Sequence, residues 1–141
     1  MVDTGRLASL LERMAAELAA LRSLARRDAA DLVADDVALP AAKYRLVMAT
    51  EAAIDACEHV IASEGYRASG DYADAFRVLV EEQVLPAELG GRLQDAARFR
   101  NLLVHGYADV DDARVVTILQ TRLGDLTQFG AHVAAAFLEA D

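Results

Sequence analysis

The residues best suited to chemistry lie in one segment, Arg98-Phe99-Arg100-Asn101-Leu102-Leu103-Val104-His105-Gly106-Tyr107. In a helix with 3.6 residues per turn, Asn101 and His105 lie one above the other, and Arg100 and Tyr107 nearly share a face. Four polar side chains of different chemistry therefore come together on one rim. The spacing predicts a polar site at the end of a helix.

These groups are suited to the cleavage of RNA. A neutral His105 can take the proton from a ribose 2′-hydroxyl, whose oxygen then attacks the adjacent phosphate. Arg100 can hold that phosphate and stabilise the transition state, because a guanidinium binds phosphate oxygens bidentately. The products would be a 2′,3′-cyclic phosphate and a free 5′-hydroxyl, and no metal is needed. A second copy of the chain can supply the histidine for the second proton transfer if two chains share the cleft.

The same residues also have a purely structural interpretation. Arginine and histidine near a helix C-terminus interact favourably with the helix dipole, and Gly106 can adopt the left-handed conformation that ends a helix. Tyr107 can then pack against Leu102. Spacing alone leaves both interpretations open.

Hydrophobic spacing places the segment in the fourth of about five amphipathic helices, which predicts an all-α bundle. Gly65 is predicted to cap the second helix in the left-handed conformation, and Asp71 is predicted to cap the third. The predicted helices cover about Thr4–Val33, Pro40–Ser63, Tyr72–Val80, Pro86–His105 and a last helix that begins in Asp109–Asp112.

Composition and length agree with this class. The 141 residues suit one domain, 1–141, and a composition that is 55% hydrophobic with 2 prolines and 8 glycines favours helices. No apolar run approaches the roughly 20 residues that cross a bilayer, so no membrane partner is expected. The first residues lack the pattern of a secretory signal, and a cytoplasmic location is expected. Cys57 is the only cysteine, which excludes an internal disulfide.

The net charge of −9 argues against a broadly basic nucleic-acid-binding surface. RNA binding is compatible with this charge in two ways. The chain can have a local basic cleft on an otherwise acidic surface, or its acidic surface can be the binding face for a positively charged partner protein. Two copies of Arg100 and His105 in one cleft would supply such a local positive charge.

Other candidate sites are weak. His59 and His132 lie in helical patterns and are interpreted as ordinary interior or surface residues, since none of the three histidines forms a local metal-binding pair. Zinc-protease, phosphate-loop and serine-hydrolase motifs are all missing from the sequence. The polar residues Arg45, Glu51 and Asp55 can point into the same cleft, but a solvated helix face is the favoured interpretation, and they are left out of the catalytic set.

The octet that begins at Arg100 and ends at Tyr107 resembles the R-x4-H-x-Y motif of HepT-like toxins, which have the HEPN fold. The segments Lys43-Tyr44-Arg45, Glu51–Asp55 and Tyr72–Phe76 are similar to recurrent segments of that family. The resemblance spans roughly Pro40 to Leu126.

The resemblance implies a helical homodimer that cleaves RNA without a metal or other cofactor, at a cleft between protomers. Arg100 and His105 take the catalytic roles. Asn101, which shares their rim, is assigned a supporting role in substrate binding, and transfer RNA and messenger RNA both stay open as substrates. It also implies a partner, an MntA-like nucleotidyltransferase antitoxin, which silences the toxin by transferring AMP to Tyr107. Phosphates added there would pair with the nearby cations and occupy the place of the substrate.

Two alternatives stay open at this stage. The chain can be a non-catalytic helical dimer that uses the same cleft to bind a nucleotide or its nucleotidyltransferase partner. The genetic roles can also be reversed, with the nucleotidyltransferase as the toxin and this chain as its antitoxin.

Overall fold

The computed structural model describes residues 1–106 and 109–139, and within these ranges the chain forms helices and no strands. The predicted all-α class is confirmed. None of the helices in the described ranges is long and apolar enough to cross a membrane. The helices are α1 (Thr4–Ala25), α2 (Ala29–Ala34), α3 (Ala38–Glu64), α4 (Tyr72–Glu81), α5 (Ala87–His105), α6 (Asp112–Thr121) and α7 (Leu123–Phe137).

The prediction of about five helices is wrong in number, because the first and last predicted helices are each divided in two. At the first break, the Asp28 carboxylate accepts hydrogen bonds from the N–H groups of Ala30 and Asp31, at 3.0 and 3.2 Å. It thereby caps a new helix, although the hydrophobic spacing continues. The second break lies at Arg122, where the backbone φ of −120° ends α6.

The predicted helix ends between the second and fourth predicted helices are confirmed. Pro40 lies in the first turn of α3, and Gly65 ends that helix in the left-handed conformation, with φ of 69°. The Asp71 carboxylate accepts a hydrogen bond of 2.7 Å from the N–H of Asp74 and caps α4. Pro86 immediately precedes α5. Each of these boundaries is set by residues only a few positions apart.

Helices α1 and α3 pack against each other in antiparallel directions. Near the start of α1, the N–H of Asp3 donates to Nε2 of His59 at 3.2 Å, whereas further along α1 Glu17 pairs with Arg45 at 3.2 Å. As the residue number increases along α1, its contact on α3 moves toward a lower number. His59 therefore takes part in a structural contact at the end of the helix pair.

The core contains buried side chains from all seven helices of the described ranges. At its centre, the rings of Phe76 and Phe129 meet edge to face, with centroids 5.5 Å apart and planes at 85°. Burying an apolar side chain of this kind contributes roughly 1.5–3 kcal/mol before cavity effects. Cys57 is also fully buried, and burial raises the pKa of its thiol. Cys57 therefore packs in the core of the helical bundle.

An ion-pair cluster holds the connection between α3 and α4. The Arg67 guanidinium forms two hydrogen bonds with the Asp74 carboxylate, at 2.8 and 3.0 Å, and two with Glu81, at 2.7 and 2.9 Å. The bonds from Arg67 and from the Gly70 N–H hold the pKa of Asp74 well below its usual value. The cluster fixes the start of α4, which is where Tyr72 lies.

Candidate active site

Helix α5 presents the candidate catalytic residues, and its last residue is His105. Leu93, Ala97, Phe99 and Leu103 are buried and anchor the helix in the core. His105 is exposed at the helix end. The helix therefore positions a solvent-accessible imidazole on a rigid, buried support.

The left-handed conformation expected at Gly106 is not found. Its φ is −119°, and its N–H donates a hydrogen bond of 2.8 Å to the carbonyl of Leu102. A Cβ atom at this position would lie 3.0 Å from Cδ1 and 3.3 Å from the carbonyl oxygen of Leu102. The glycine therefore permits a close approach of the chain to the last helical turn rather than a positive φ.

Arg100 is held by groups from three helices. Its Nε donates to Oε1 of Glu51 on α3 at 3.2 Å, and its Nη2 donates to the same oxygen. Its Nη1 donates to Oδ1 of the adjacent Asn101 at 3.1 Å. The guanidinium carbon also lies 5.0 Å from the ring centroid of Tyr72 on α4, a cation–π arrangement. The side chain is only 11% exposed.

Within the part of the chain that the structure describes, these contacts do not occupy every N–H group of the Arg100 guanidinium. An arginine side chain carries five N–H groups, and one each on Nε, Nη1 and Nη2 is used within the protein. The remaining two N–H groups are on Nη1 and Nη2. A pair of this kind is able to form the fork that binds two phosphate oxygens.

Arg100 and His105 do not lie directly above one another. Five residues of an ideal α-helix rotate by about 140° and rise by about 7.5 Å. The exposed Val104 and half-exposed Asn101 lie between them on this face of α5. Within one protomer, the guanidinium and the imidazole are therefore at opposite sides of one exposed face.

The remaining predicted site residues have different outcomes. Asn101 contacts Arg100 directly through its side-chain oxygen. Tyr107, the predicted modification site, lies outside the described residues. Among the described residues, no group of three or more His, Cys, Asp or Glu side chains is placed to hold a metal ion.

The structure adds two residues that the sequence prediction left out of the site. Glu51 was assigned to a solvated helix face, but its carboxylate binds Arg100. Tyr72 was predicted as the first residue of a helix and not as a member of the site. The other two members of the proposed solvated face, Arg45 and Asp55, do form surface ion pairs, with side-chain exposures of 44% and 51%. Both Glu51 and Tyr72 lie in segments that carried the family resemblance, which was the available signal.

Comparison with known proteins agrees with this fold. The family model described as "Ribonuclease HepT-like" matches residues 14–133. No curated protein matches the chain. A solved structure of the tri-AMPylated Shewanella oneidensis HEPN toxin in complex with MNT antitoxin is 21% identical, with a TM-score of 0.86 over 96% of this chain and 99% of that chain.

Two further solved structures have the same fold. A toxin–antitoxin structure with AMP-PNP is 19% identical, with a TM-score of 0.87 over 93% of this chain and 98% of that chain. YutE from Bacillus subtilis, a cytosolic protein of unknown function, is 19% identical, with a TM-score of 0.84 over 99% and 96% of the two chains. The helical arrangement is thus that of the HEPN toxins. By its match to the family model, the chain belongs to the HepT-like ribonuclease family.

Proposed function

We propose that residues 1–141 form a single HEPN domain that acts as an endoribonuclease toxin, with Arg100 and His105 as its catalytic residues. The observation that carries this proposal is the fixed Arg100 guanidinium. It retains two N–H groups for a phosphate, on the helix that ends in the exposed His105. A polar pair of this kind is suited to phosphodiester cleavage.

The proposed reaction uses only protein groups and the RNA itself. The neutral His105 imidazole takes the proton of a ribose 2′-hydroxyl, and the 2′-oxygen forms a bond to phosphorus. The bond from phosphorus to the 5′-oxygen of the next nucleotide breaks, and an imidazolium donates a proton to that oxygen. Arg100 stabilises the charge on the phosphate oxygens during this exchange. The products are a 2′,3′-cyclic phosphate and a 5′-hydroxyl.

The imidazolium is proposed to come from a second copy of the chain in a symmetric homodimer. The angular separation of Arg100 and His105 around α5 supports this arrangement, since a cleft between two copies brings both groups to one substrate. Coexpression of wild-type and His105→Ala chains tests it. If each reaction uses a histidine from both copies, the mixed dimer, which holds a single His105, will lose nearly all cleavage. Mixed dimers that keep about half of the wild-type activity would argue for sites built within one protomer.

The proposed partner is a nucleotidyltransferase antitoxin of the MntA type. It would transfer AMP from ATP to the phenolic oxygen of Tyr107, with release of pyrophosphate. The AMPylated toxin in complex with its MNT antitoxin, among the structures with this fold, supports the proposal. Intact-mass spectrometry after incubation with an MntA-type nucleotidyltransferase and ATP tests it. We expect increments of AMP that disappear in Tyr107→Phe. An unchanged mass of the wild-type chain would contradict covalent silencing.

The biological role is tested by expressing each gene of the pair alone. As a cytoplasmic toxin that cuts transfer RNA or messenger RNA, the chain should arrest growth, and His105→Ala should abolish the arrest. Growth arrest by the nucleotidyltransferase, relieved by this chain, would instead support the reversed pair. Tight binding to the partner without any cleavage by unmodified protein would support the non-catalytic module.

A further inference from the structure

A groove with a volume of about 820 Å³ lies beside the candidate active site, between α5 and the pair α6 and α7. Its charged lining residues are four arginines and two aspartates, a formal charge of +2 on a chain whose net charge is −9. The groove is therefore a local basic cleft on an acidic body. Its charged lining residues are Arg92, Asp95, Arg98, Arg114, Arg122 and Asp125.

The two aspartates neutralise only two of the four arginines. Asp125 pairs with Arg92 at 2.8 Å, and Asp95 pairs with Arg98 at 3.0 Å. Arg114 and Arg122 are both exposed, and within the described residues neither has a carboxylate partner. The uncompensated positive charge of the groove is thus concentrated on α6 and the residue that follows it, where anionic groups will be attracted.

The groove also offers apolar surface. Leu46, Leu102, Ile118 and Leu126 are among the residues that line it, and the Arg114 guanidinium lies 4.9 Å from the centroid of the Phe99 ring. A guanidinium stacked on a ring presents its other face to solvent, and a nucleobase can stack on that face. A single strand presents both unstacked bases and phosphates, whereas a duplex presents its backbone on the outside.

The groove runs along α5 toward the end of the helix that carries His105. Leu102 lines the groove and lies three residues before His105, and Arg98 lies on the groove side seven residues before it. On an ideal helix, residues seven apart share a face and lie about 10.5 Å from each other along the axis. When an RNA chain is cut beside His105, the nucleotides adjacent to the cleavage site can therefore lie in the groove.

We infer that this groove binds the single-stranded RNA that flanks the scissile phosphate, with Arg114 and Arg122 contacting the backbone. The inference rests on the proposed function, and it answers the difficulty posed by the acidic net charge. Its size also fits, since pockets of about 300–1,000 Å³ enclose ligands as large as a nucleotide.

Fluorescence anisotropy with a short labelled single-stranded RNA tests the inference. The parent is His105→Ala, so that the RNA stays intact. Adding Arg114→Gln and Arg122→Gln should lower the affinity about tenfold and reduce the slope of log K against log salt by about 1.4, for two lost phosphate contacts. Arg122→Gln alone, which leaves the contact between Arg114 and Phe99 in place, should reduce the slope by about 0.7.

The matched control carries Arg6→Gln and Arg77→Gln, which remove the same charge from exposed positions outside the groove. It should bind RNA like the parent. Equal losses of RNA affinity in the groove double variant and the control double variant would show that only the net charge matters and would overturn the inference.

An unchanged RNA affinity in the groove double variant would also overturn the inference. If that variant then binds the nucleotidyltransferase less tightly, the groove is a protein interface.

The two proposals fail separately in this design. If the wild-type chain cleaves no RNA but the groove variants lose affinity, the nuclease role fails and the RNA groove remains. If the wild-type chain cleaves RNA and His105→Ala does not, while the groove variants bind like the parent, the nuclease role remains and the groove inference is overturned.

Discussion

Arg100 on α5 donates two hydrogen bonds to a single carboxylate oxygen of Glu51 on α3, across 49 positions of sequence. The pair brings together the helix that carries the candidate catalytic motif and the longest helix of the described residues. It also fixes the direction in which the remaining N–H groups of the guanidinium point. The orientation of Arg100 is therefore set by tertiary packing and not by α5 alone.

Replacing Glu51 with glutamine should reduce both stability and cleavage. The amide keeps an acceptor but loses the charge that compensates a guanidinium only 11% exposed. We expect the free energy of unfolding to fall by about 1 kcal/mol, because the pair is partly exposed to solvent. Misplacement of Arg100 should lower kcat about tenfold with little change in KM.

The control for Glu51→Gln is Asp55→Asn, one helical turn further along α3. Asp55 pairs with Arg13 at 3.4 Å, and both side chains are more than half exposed. Urea unfolding and single-turnover kinetics should find this control close to wild type. If the two variants have equal effects, Glu51 has no special relation to Arg100.

The Tyr72 ring should support Arg100 through its face and not through its hydroxyl. Tyr72→Phe keeps the ring, whereas Tyr72→Ala removes it together with a contact worth about 0.5–1 kcal/mol at an exposed site. We expect urea unfolding to show a loss of that size for Tyr72→Ala and almost none for Tyr72→Phe. An equal loss in both variants would instead assign the effect to the hydroxyl.

Close packing of α4 against α5 requires a glycine at position 90. A Cβ atom on Gly90 would overlap Cγ2 of Val80, and the β-branched valine has little freedom to move away. Gly90→Ala should therefore cost about 1–3 kcal/mol in the free energy of unfolding. The next residue is a matched control, because a Cβ atom on Gly91 meets nothing within 4 Å.

Gly91→Ala should stabilise the chain by up to about 1 kcal/mol, since alanine favours a helix more than glycine does. The two substitutions are thus expected to shift the thermal midpoint in opposite directions. Adding Val80→Ala should relieve part of the defect of Gly90→Ala. A stabilising Gly90→Ala would contradict the close approach of the two helices.

Asp35 should make stability depend on pH in the acid range. Hydrogen bonds from the Ala38 N–H, Arg27 and the Val37 N–H lower the pKa of this carboxyl from 3.8 to about 2. Because the folded state favours the ionised form, its stabilisation is complete above the unfolded pKa of 3.8 and is lost as the pH falls toward about 2.

Thermal unfolding of Asp35→Asn checks this dependence. The midpoint of the variant should lie below that of the wild type at neutral pH, and the difference should shrink as the pH falls from 3.8 to about 2. The exposed neighbour Asp36, as Asp36→Asn, provides the control. A difference that is independent of pH would show that the charge of Asp35 contributes nothing.

The sequence could predict those features that depend on neighbouring residues. Gly65 and Asp71 act on backbone groups within a few positions, and their roles as helix caps were predicted from local patterns. The break before α2 was missed because hydrophobic spacing continues through Asp28, whose capping bonds compete with a continuous helix. Local patterns give helices more reliably than they give helix ends.

The candidate site likewise contains residues that a local motif predicts and a contact that depends on tertiary packing. Arg100 and His105 stand in one motif and were predicted from it, together with Asn101. The bond between Arg100 and Glu51 depends on how α5 packs against α3, and hydrophobic spacing gives no information about that register. Glu51 has the spacing of a surface residue, and a lone carboxylate on a helix is usually solvated. Its partner becomes visible only in the folded chain.

The most direct test of the nuclease assignment is cleavage of a single-stranded RNA by purified, unmodified protein in the presence of EDTA. The wild-type chain is expected to produce fragments with 2′,3′-cyclic phosphate and 5′-hydroxyl ends, which mass spectrometry identifies. Arg100→Ala and His105→Ala should each abolish these fragments while circular dichroism shows a retained fold. Cleavage that persists in His105→Ala, or fragments with 3′-hydroxyl and 5′-phosphate ends, would contradict the proposed mechanism.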